Sequence, residues 1–177
     1  MMIRLVLIGI TFLILVSEGV ALELLPTVLT SSATLIVPHW LLVFLVLINL
    51  FYDTNETYFS IYLGIVFGLL IDIVYTGILG AYMFTYPFTL YLIHLLKRFV
   101  QSNLTMSVMI VTISIVVTEV CLYVIYFIIG LIHIPLSAFS IDRLLPTVLA
   151  NIIFFVPLYF IFKRRLEKWR DKELDYI

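Results

Sequence analysis

Three polar side chains lie inside long apolar runs of this sequence, where each needs either a bonding partner or a function. Glu119 lies near the middle of one run, and Asn151 lies near the middle of the next at a similar predicted depth. Asp72 lies in a third run, within "GLLIDIVYTGILG". An ionisable group at the centre of a membrane helix costs at least about 2.5–3.5 kcal/mol, so each carboxylate is a candidate for chemistry or for a structural bond.

Glu119 and Asn151 fall on neighbouring antiparallel helices of the predicted bundle. One interpretation is a hydrogen bond between a protonated Glu119 carboxyl and Asn151, which would join the two helices. A glutamine at position 119 would then be tolerated, whereas a leucine would weaken the fold. The alternative is that Glu119 is a carboxylate that couples protons or a substrate to a conformational change.

Asp72 lies three residues before the predicted end of its helix, where the helix dipole disfavours a negative charge. Only Thr76 and Gly77 are available as a turn before the next apolar run. The first turn of the following helix has unpaired N–H groups around Gly77 and Gly80, and Asp72 can accept hydrogen bonds from them. We therefore predict that Asp72 locks a tight outer hairpin, with direct binding of a partner or ligand as the alternative.

The composition indicates that the protein lies in a lipid bilayer. Of the 177 residues, 64% are hydrophobic and 12% are charged, and the mean hydropathy is +1.23, whereas soluble domains are about 45–50% apolar and about 25% charged. The apolar runs extend for about 20 residues without the alternation of a β-barrel. The chain is predicted to be an all-α, polytopic membrane protein. Its single cysteine, Cys121, excludes an internal disulfide.

Six apolar runs are long enough to be transmembrane helices. They cover residues 3–22, 35–52, 58–75, 77–96, 104–132 and 144–162. The predicted domains are therefore a six-helix transmembrane domain, residues 1–162, and a basic cytoplasmic tail, residues 163–177. With both termini in the cytoplasm, nine Lys and Arg lie inside and only Arg143 lies outside, as the positive-inside rule requires.

Four smaller features complete the predicted bundle. Pro38 suits the first turn of the second helix, and Glu18 and His39 are expected near outer helix ends, where headgroup water solvates them. Gly64 and Gly68 have the spacing that allows close helix contact. The basic tail is interpreted as a topology anchor near anionic lipid, with docking of a cytoplasmic partner as the alternative.

The sequence has none of the motifs that would indicate an enzyme of a familiar class. It contains no Walker A loop, no H-E-x-x-H, no G-x-S-x-G and no cysteine cluster. Its intramembrane polar residues are few, and no pair has catalytic spacing. The protein is therefore predicted not to be an enzyme and to bind no metal or cofactor.

An ordered set of residues between the second and fourth runs resembles the family of the bacterial rod shape-determining protein MreD. That family has a proline opening the second span, then a Gly-x-x-x-Asp segment and a glycine-rich turn ending in Leu-Gly, followed by an aromatic-rich span. The corresponding residues here are Pro38, Gly68, Asp72, Gly77, Leu79, Gly80 and Tyr86. The family often has an acid directly after the proline, whereas this chain has His39.

The resemblance implies a non-enzymatic, multi-pass scaffold of the cell-elongation machinery in the bacterial plasma membrane, needed for cell shape and lateral peptidoglycan synthesis. It implies binding to an MreC-like single-span protein in the lipid bilayer. Through that protein it implies links to an MreB-like filament, a RodA-type glycosyltransferase and a class B penicillin-binding transpeptidase. No nucleic-acid partner is implied.

The family is also similar in fold to the six-helix substrate-binding components of energy-coupling-factor transporters. The alternative function is therefore a membrane subunit for the uptake of a small molecule such as a vitamin, which needs converging polar side chains in a cavity. The candidates for such a set in the outer half are Glu18, His39, Asp72, Tyr75, Tyr82 and Arg143. This set is small for a ligand with many hydrogen-bonding groups, so the sequence favours the scaffold.

Overall fold

The computed structural model describes residues 2–24, 36–99 and 103–174, and every regular element in these ranges is helical. The helices are α1 (Met2–Leu24), α2 (Trp40–Phe51), α3 (Phe59–Ile71), α4 (Ala81–Leu96), α5 (Leu104–Ile128), α6 (Leu136–Ala138) and α7 (Leu145–Leu174). A π-helical turn, Asp72–Thr76, extends α3, and a second one, Phe139–Leu144, joins α6 to α7. A short 3₁₀ turn, Lys97–Phe99, follows α4. The predicted all-α architecture is confirmed over the described residues.

Four continuous helical segments of the described chain are long and apolar enough to cross a membrane. They are Met2–Leu24, Phe59–Thr76, Leu104–Ile128 and Leu136–Leu174. The remaining two predicted spans correspond to shorter helices: α2 has 12 residues and α4 has 16. The last helix continues past the predicted boundary at residue 162 to Leu174. The fold is thus that of a helical membrane protein, with helices of unequal length.

The second helix begins later than the sequence predicted, at Trp40 instead of residue 35. Residues 36–39 are not helical, and Pro38 lies before the helix instead of in its first turn, so that prediction was wrong. The proline explains part of this difference, because it disfavours helical geometry in the residue that precedes it, here Val37. The backbone groups of Val37 and His39 also bond to the side chains of Thr147 and Asn151 in α7, which holds this segment outside the helix. His39, with φ −115° and ψ 45°, occupies the N-cap position.

Helix α2 is the centre of the bundle. The side chains of residues 41–49 are fully buried on every side, since α2 contacts α1, α3, α4, α5 and α7. Twelve residues span only about 18 Å, against about 30 Å for the hydrocarbon core. A short enclosed helix therefore has both ends inside the protein, and its unpaired terminal N–H and C=O groups need partners from other elements.

Helices α3 and α4 pack closely through a face of small residues. A Cβ built on Gly68 would lie 2.6 Å from the backbone oxygen of Tyr82, whereas one on Gly64 would meet the movable Leu90 Cδ1 at 2.8 Å. The sequence predicted close helix contact at these two glycines, and the structure confirms it. Position 68 has no room for a side chain because the obstacle is backbone.

This geometry predicts a graded series of alanine substitutions. Gly68→Ala should destabilise the protein by about 1–3 kcal/mol, because α4 must move away. Gly64→Ala should cost less, since a leucine rotamer can adjust. Gly9→Ala in α1 has nothing within 4 Å of the new Cβ and should be neutral or stabilising by up to about 1 kcal/mol. Thermal unfolding in one detergent would rank the three variants, and equal losses at positions 9 and 68 would contradict the packing argument.

Candidate functional site

The residues just before α2 form a buried polar cluster around His39, which has no exposed surface. Its Nε2 lies 2.7 Å from Glu119 Oε1, and its Nδ1 lies 3.2 Å from the Tyr86 hydroxyl. Its backbone N–H donates to Asn151 Oδ1 at 2.7 Å. One residue thus connects α4, α5 and α7 at the start of the central helix. We call this group, with Arg143, the His39 cluster.

Arg143, from the π-helical turn before α7, is the second side chain that bonds to the Glu119 carboxylate. Its Nε donates to Glu119 Oε2 at 2.7 Å, and a terminal nitrogen lies 3.4 Å from Oε1. The Glu119 side chain is fully buried, while that of Arg143 is 22% exposed. Because a guanidinium stays protonated in proteins, the contact is a charge-assisted pair. It ties α5 to the segment that leads into α7.

The predicted hydrogen bond between Glu119 and Asn151 is wrong. Both Glu119 oxygens face His39 and Arg143, and Asn151 bonds to other atoms. Its Nδ2 donates to Val37 O at 2.9 Å and to Thr147 O at 2.8 Å. The physical reason is that residues 36–39 present their backbone polar groups to α7, and Asn151 pairs with them.

Glu18 was expected to be solvated near an outer helix end, and this prediction was wrong, as it was for His39. Glu18 is only 5% exposed, and its Oε2 accepts the Leu41 N–H at 2.7 Å. That N–H is one of the unpaired donors in the first turn of α2. A carboxylate from α1 thus caps the buried N-terminus of α2, where the helix dipole favours negative charge.

The other end of α2 is capped by a cation from the turn that follows α4. Lys97 Nζ donates to the backbone oxygens of Asn49, Asp53 and Thr54 at 2.8, 2.9 and 3.2 Å. These carbonyls lie in and just after the last turn of α2, where the dipole favours positive charge.

Asp72 bonds to backbone N–H groups at the start of the next helix, as the sequence predicted, but only one of the predicted donors, Gly80, bonds to its carboxylate. The Gly77 N–H donates to the Asp72 backbone oxygen instead, at 2.8 Å. The carboxylate has no exposed surface and accepts from the N–H groups of Gly80, Tyr82 and Met83 at 2.8, 2.9 and 3.1 Å. Gly77 and Gly80 have φ values of 66° and 102°, which side-chain-bearing residues rarely adopt. We call residues 68–83 the Asp72 hairpin. That these bonds stabilise it stays a prediction.

The structure thus places the residues that the sequence indicated as candidates for structural or partner-binding roles in two neighbouring groups. Pro38, Glu119 and Asn151 lie at or beside the His39 cluster, and Gly68, Asp72, Gly77 and Gly80 form the Asp72 hairpin. The tyrosines of α4 connect the two groups. The backbone N–H of Tyr82 bonds to Asp72, its ring lies 5.3 Å from that of Tyr86, and Tyr86 contacts His39.

The contacts of two members of the site, Arg143 and Tyr86, were not predicted from the sequence, although both residues were named there. The pairing of Arg143 with Glu119 had a detectable signal, because Arg143 was the single basic residue predicted on the outer side and Glu119 was an intramembrane acid with no predicted counter-charge. Tyr86 was named through the family resemblance, but its contact with His39 had no signal in the sequence. In the part of the chain that the structure describes, no group of three or more His, Cys, Asp or Glu is placed to hold a metal ion. The arrangement connects helices through buried hydrogen bonds and an ion pair.

Comparison with known proteins gives one relative and one family. The family model described as rod shape-determining protein MreD matches residues 3–168. A Bacillus subtilis (strain 168) protein named rod shape-determining protein MreD is 26% identical over 167 residues, which cover 90% of this chain and 94% of the relative. No solved structure matches the chain. The family match covers nearly the whole chain, so this membrane protein belongs to the rod shape-determining MreD family.

Proposed function

We propose that the protein is a non-enzymatic scaffold of the bacterial cell-elongation machinery, located in the plasma membrane and needed for rod shape and lateral peptidoglycan synthesis. Its proposed direct partner is an MreC-like single-span protein. Through that partner it connects to an MreB-like filament, a RodA-type glycosyltransferase and a class B penicillin-binding transpeptidase. The observation that carries the proposal is the family match over residues 3–168.

The bonding of the buried polar groups supports a scaffold over the uptake of a small molecule. Four of the six side chains named as candidates for contacting a small molecule are already bonded within the protein. Glu18 accepts from Leu41, His39 and Arg143 contact Glu119, and Asp72 accepts three backbone N–H groups. A ligand would have to break these bonds, and each buried group left unpaired would cost about 1–3 kcal/mol.

The proposed topology has six spans with both termini in the cytoplasm. In this arrangement α2, with the extended residues 36–39, and α4, with the turn Lys97–Phe99, count as the two short spans. The distribution of nine basic residues inside and one outside supports the orientation. A likeness in fold to the substrate-binding components of energy-coupling-factor transporters is part of the same proposal.

Cysteine labelling in intact cells tests this topology. In a Cys121→Ala background, a cysteine at the exposed Ser137 should react with an impermeant thiol reagent. A cysteine at the exposed Glu56 should react only after the membrane is permeabilised, which also shows that the site is reactive. Labelling of Glu56→Cys in intact cells would contradict the six-span arrangement.

The scaffold role is tested by purifying the tagged full chain from its native membrane. An MreC-like protein should copurify in near-stoichiometric amount, and mass spectrometry of the denatured sample should release no stoichiometric vitamin-like compound. An unrelated membrane protein with the same tag, purified in parallel, gives the background. Recovery of a stoichiometric small molecule without the MreC-like protein would favour the uptake subunit instead.

A further inference from the structure

The last part of α7 carries four exposed basic side chains on one face. Residues 164, 165, 168 and 172 are Arg, Arg, Lys and Lys, and each is exposed. At about 100° per residue, the four directions fall within about 100° of the helix circumference. None of the four has an ion pair among the described residues. We call these residues the basic stripe.

The opposite face of the same segment is held against the bundle, which fixes the direction of the basic stripe. Leu166 is fully buried, and Trp169 packs against the core. Glu173 pairs with Arg4 Nε at 2.6 Å and contacts the Tyr52 hydroxyl. The segment is therefore packed against α1 and α2. Its outward face has a fixed direction, so a partner that binds there does not have to order the helix first.

The basic stripe continues the face that α7 exposes within its apolar part, where Ile153 and Phe160 are 75% and 66% exposed. From Arg164 to Lys172 it extends about 12 Å along the helix axis. Anionic headgroups lie in one layer, and their attraction falls off within a Debye length of about 8 Å. A lipid surface that reaches Arg164 and Arg165 would leave Lys172 largely unpaired, whereas an acidic helix lying alongside α7 reaches all four.

We propose that the basic stripe, Arg164, Arg165, Lys168 and Lys172, is a docking surface for an acidic helical segment of a cytoplasmic protein. The complementary segment has Asp or Glu on one face at i, i+4 and i+8. Asp171 borders the stripe, but its carboxylate is paired with the Arg170 side chain at 2.9 Å. The cytoplasmic position of the stripe rests on the topology proposed above, while its charge and rigidity do not.

The test uses the full chain in phosphatidylcholine nanodiscs and a fluorescent helical peptide with glutamates at i, i+4 and i+8. Arg164→Gln/Lys172→Gln removes two charges from the stripe. The matched control, Arg98→Glu, lowers the net charge by the same two units on the same predicted side of the membrane but outside the stripe, at an exposed position. We expect the stripe variant to bind the peptide about tenfold more weakly and the control variant to match the parent protein within about twofold.

Three results would overturn the proposal. The first is equal weakening of peptide binding in the stripe variant and in the control variant. The second is no preference for this peptide over one with the same glutamates distributed around the helix. The third comes from nanodiscs that contain phosphatidylglycerol. If the parent protein retains phosphatidylglycerol that the stripe variant does not retain, and the parent protein no longer binds the peptide, the stripe is a lipid contact and not a protein-docking surface.

Discussion

Glu119→Gln is expected to lower the free energy of unfolding by about 3 kcal/mol, because it removes the counter-charge of a largely buried guanidinium. Arg143 Nε lies 2.7 Å from Glu119 Oε2, and a neutral amide cannot replace that charge. The partial exposure of Arg143 keeps the loss near the lower end of the range for buried pairs. This expectation differs from that of the sequence, in which a protonated Glu119 would tolerate glutamine.

A double-mutant cycle separates the ion pair from other effects of the substitution. Glu119→Gln/Arg143→Gln should lose less stability than the sum of the two single losses, with a coupling of at least about 0.5 kcal/mol. Arg98→Gln, an exposed cation outside the cluster, should change stability by no more than about 0.5 kcal/mol. Denaturant unfolding in detergent measures the parent protein, the three variants of the cycle and the control. Strictly additive losses would show that the two side chains do not interact.

Asp72→Ala is expected to destabilise the Asp72 hairpin by about 3 kcal/mol or more, because three backbone donors lose their acceptor in a buried site. Asp72→Asn keeps one acceptor oxygen and should lose less. Gly80→Val should also be strongly destabilising, because a β-branched residue is strained at the observed φ of 102°. The melting temperature in detergent, measured together with copurification of the MreC-like protein, reports both stability and binding.

Asp142→Ala is the matched control for this series. Asp142 is an exposed carboxylate in the other π-helical turn, so its removal should leave the melting temperature nearly unchanged. If Asp72→Ala leaves the melting temperature unchanged but abolishes copurification of the MreC-like protein, the hairpin lock is wrong. Asp72 would then be a contact residue for the partner.

The sequence predicted the Asp72 hairpin well because its cause is local. Asp72, Gly77 and Gly80 are close along the chain, and the turn between two apolar runs leaves few geometries. Helix type and approximate helix limits were also predictable from the apolar runs, because a bilayer requires about 20 consecutive apolar residues in each helix that crosses it. The close contact at Gly68 followed from the same local pattern.

The His39 cluster could not be predicted in detail because its contacts are distant along the chain. The sequence gives the depth of Glu119 and Asn151 but not the direction in which each side chain points around its helix. It also does not show that α2 begins late, which is what buries His39 and brings Glu18 to the Leu41 N–H. Once α2 is short and enclosed, acid and base caps at its two ends follow from the need to pair its terminal groups.

Cell shape, compared with the amount of folded protein, tests the scaffold account most directly. Cells lacking the protein would express the parent chain or the Glu119, Arg143 and Asp72 variants, and cell aspect ratio would be plotted against folded protein in the membrane. The account predicts a single curve, in which each variant restores rod shape in proportion to its folded amount. Round cells containing Glu119→Gln protein that is folded and as abundant as the parent would contradict it, since Glu119 would then have a role beyond holding the helices together.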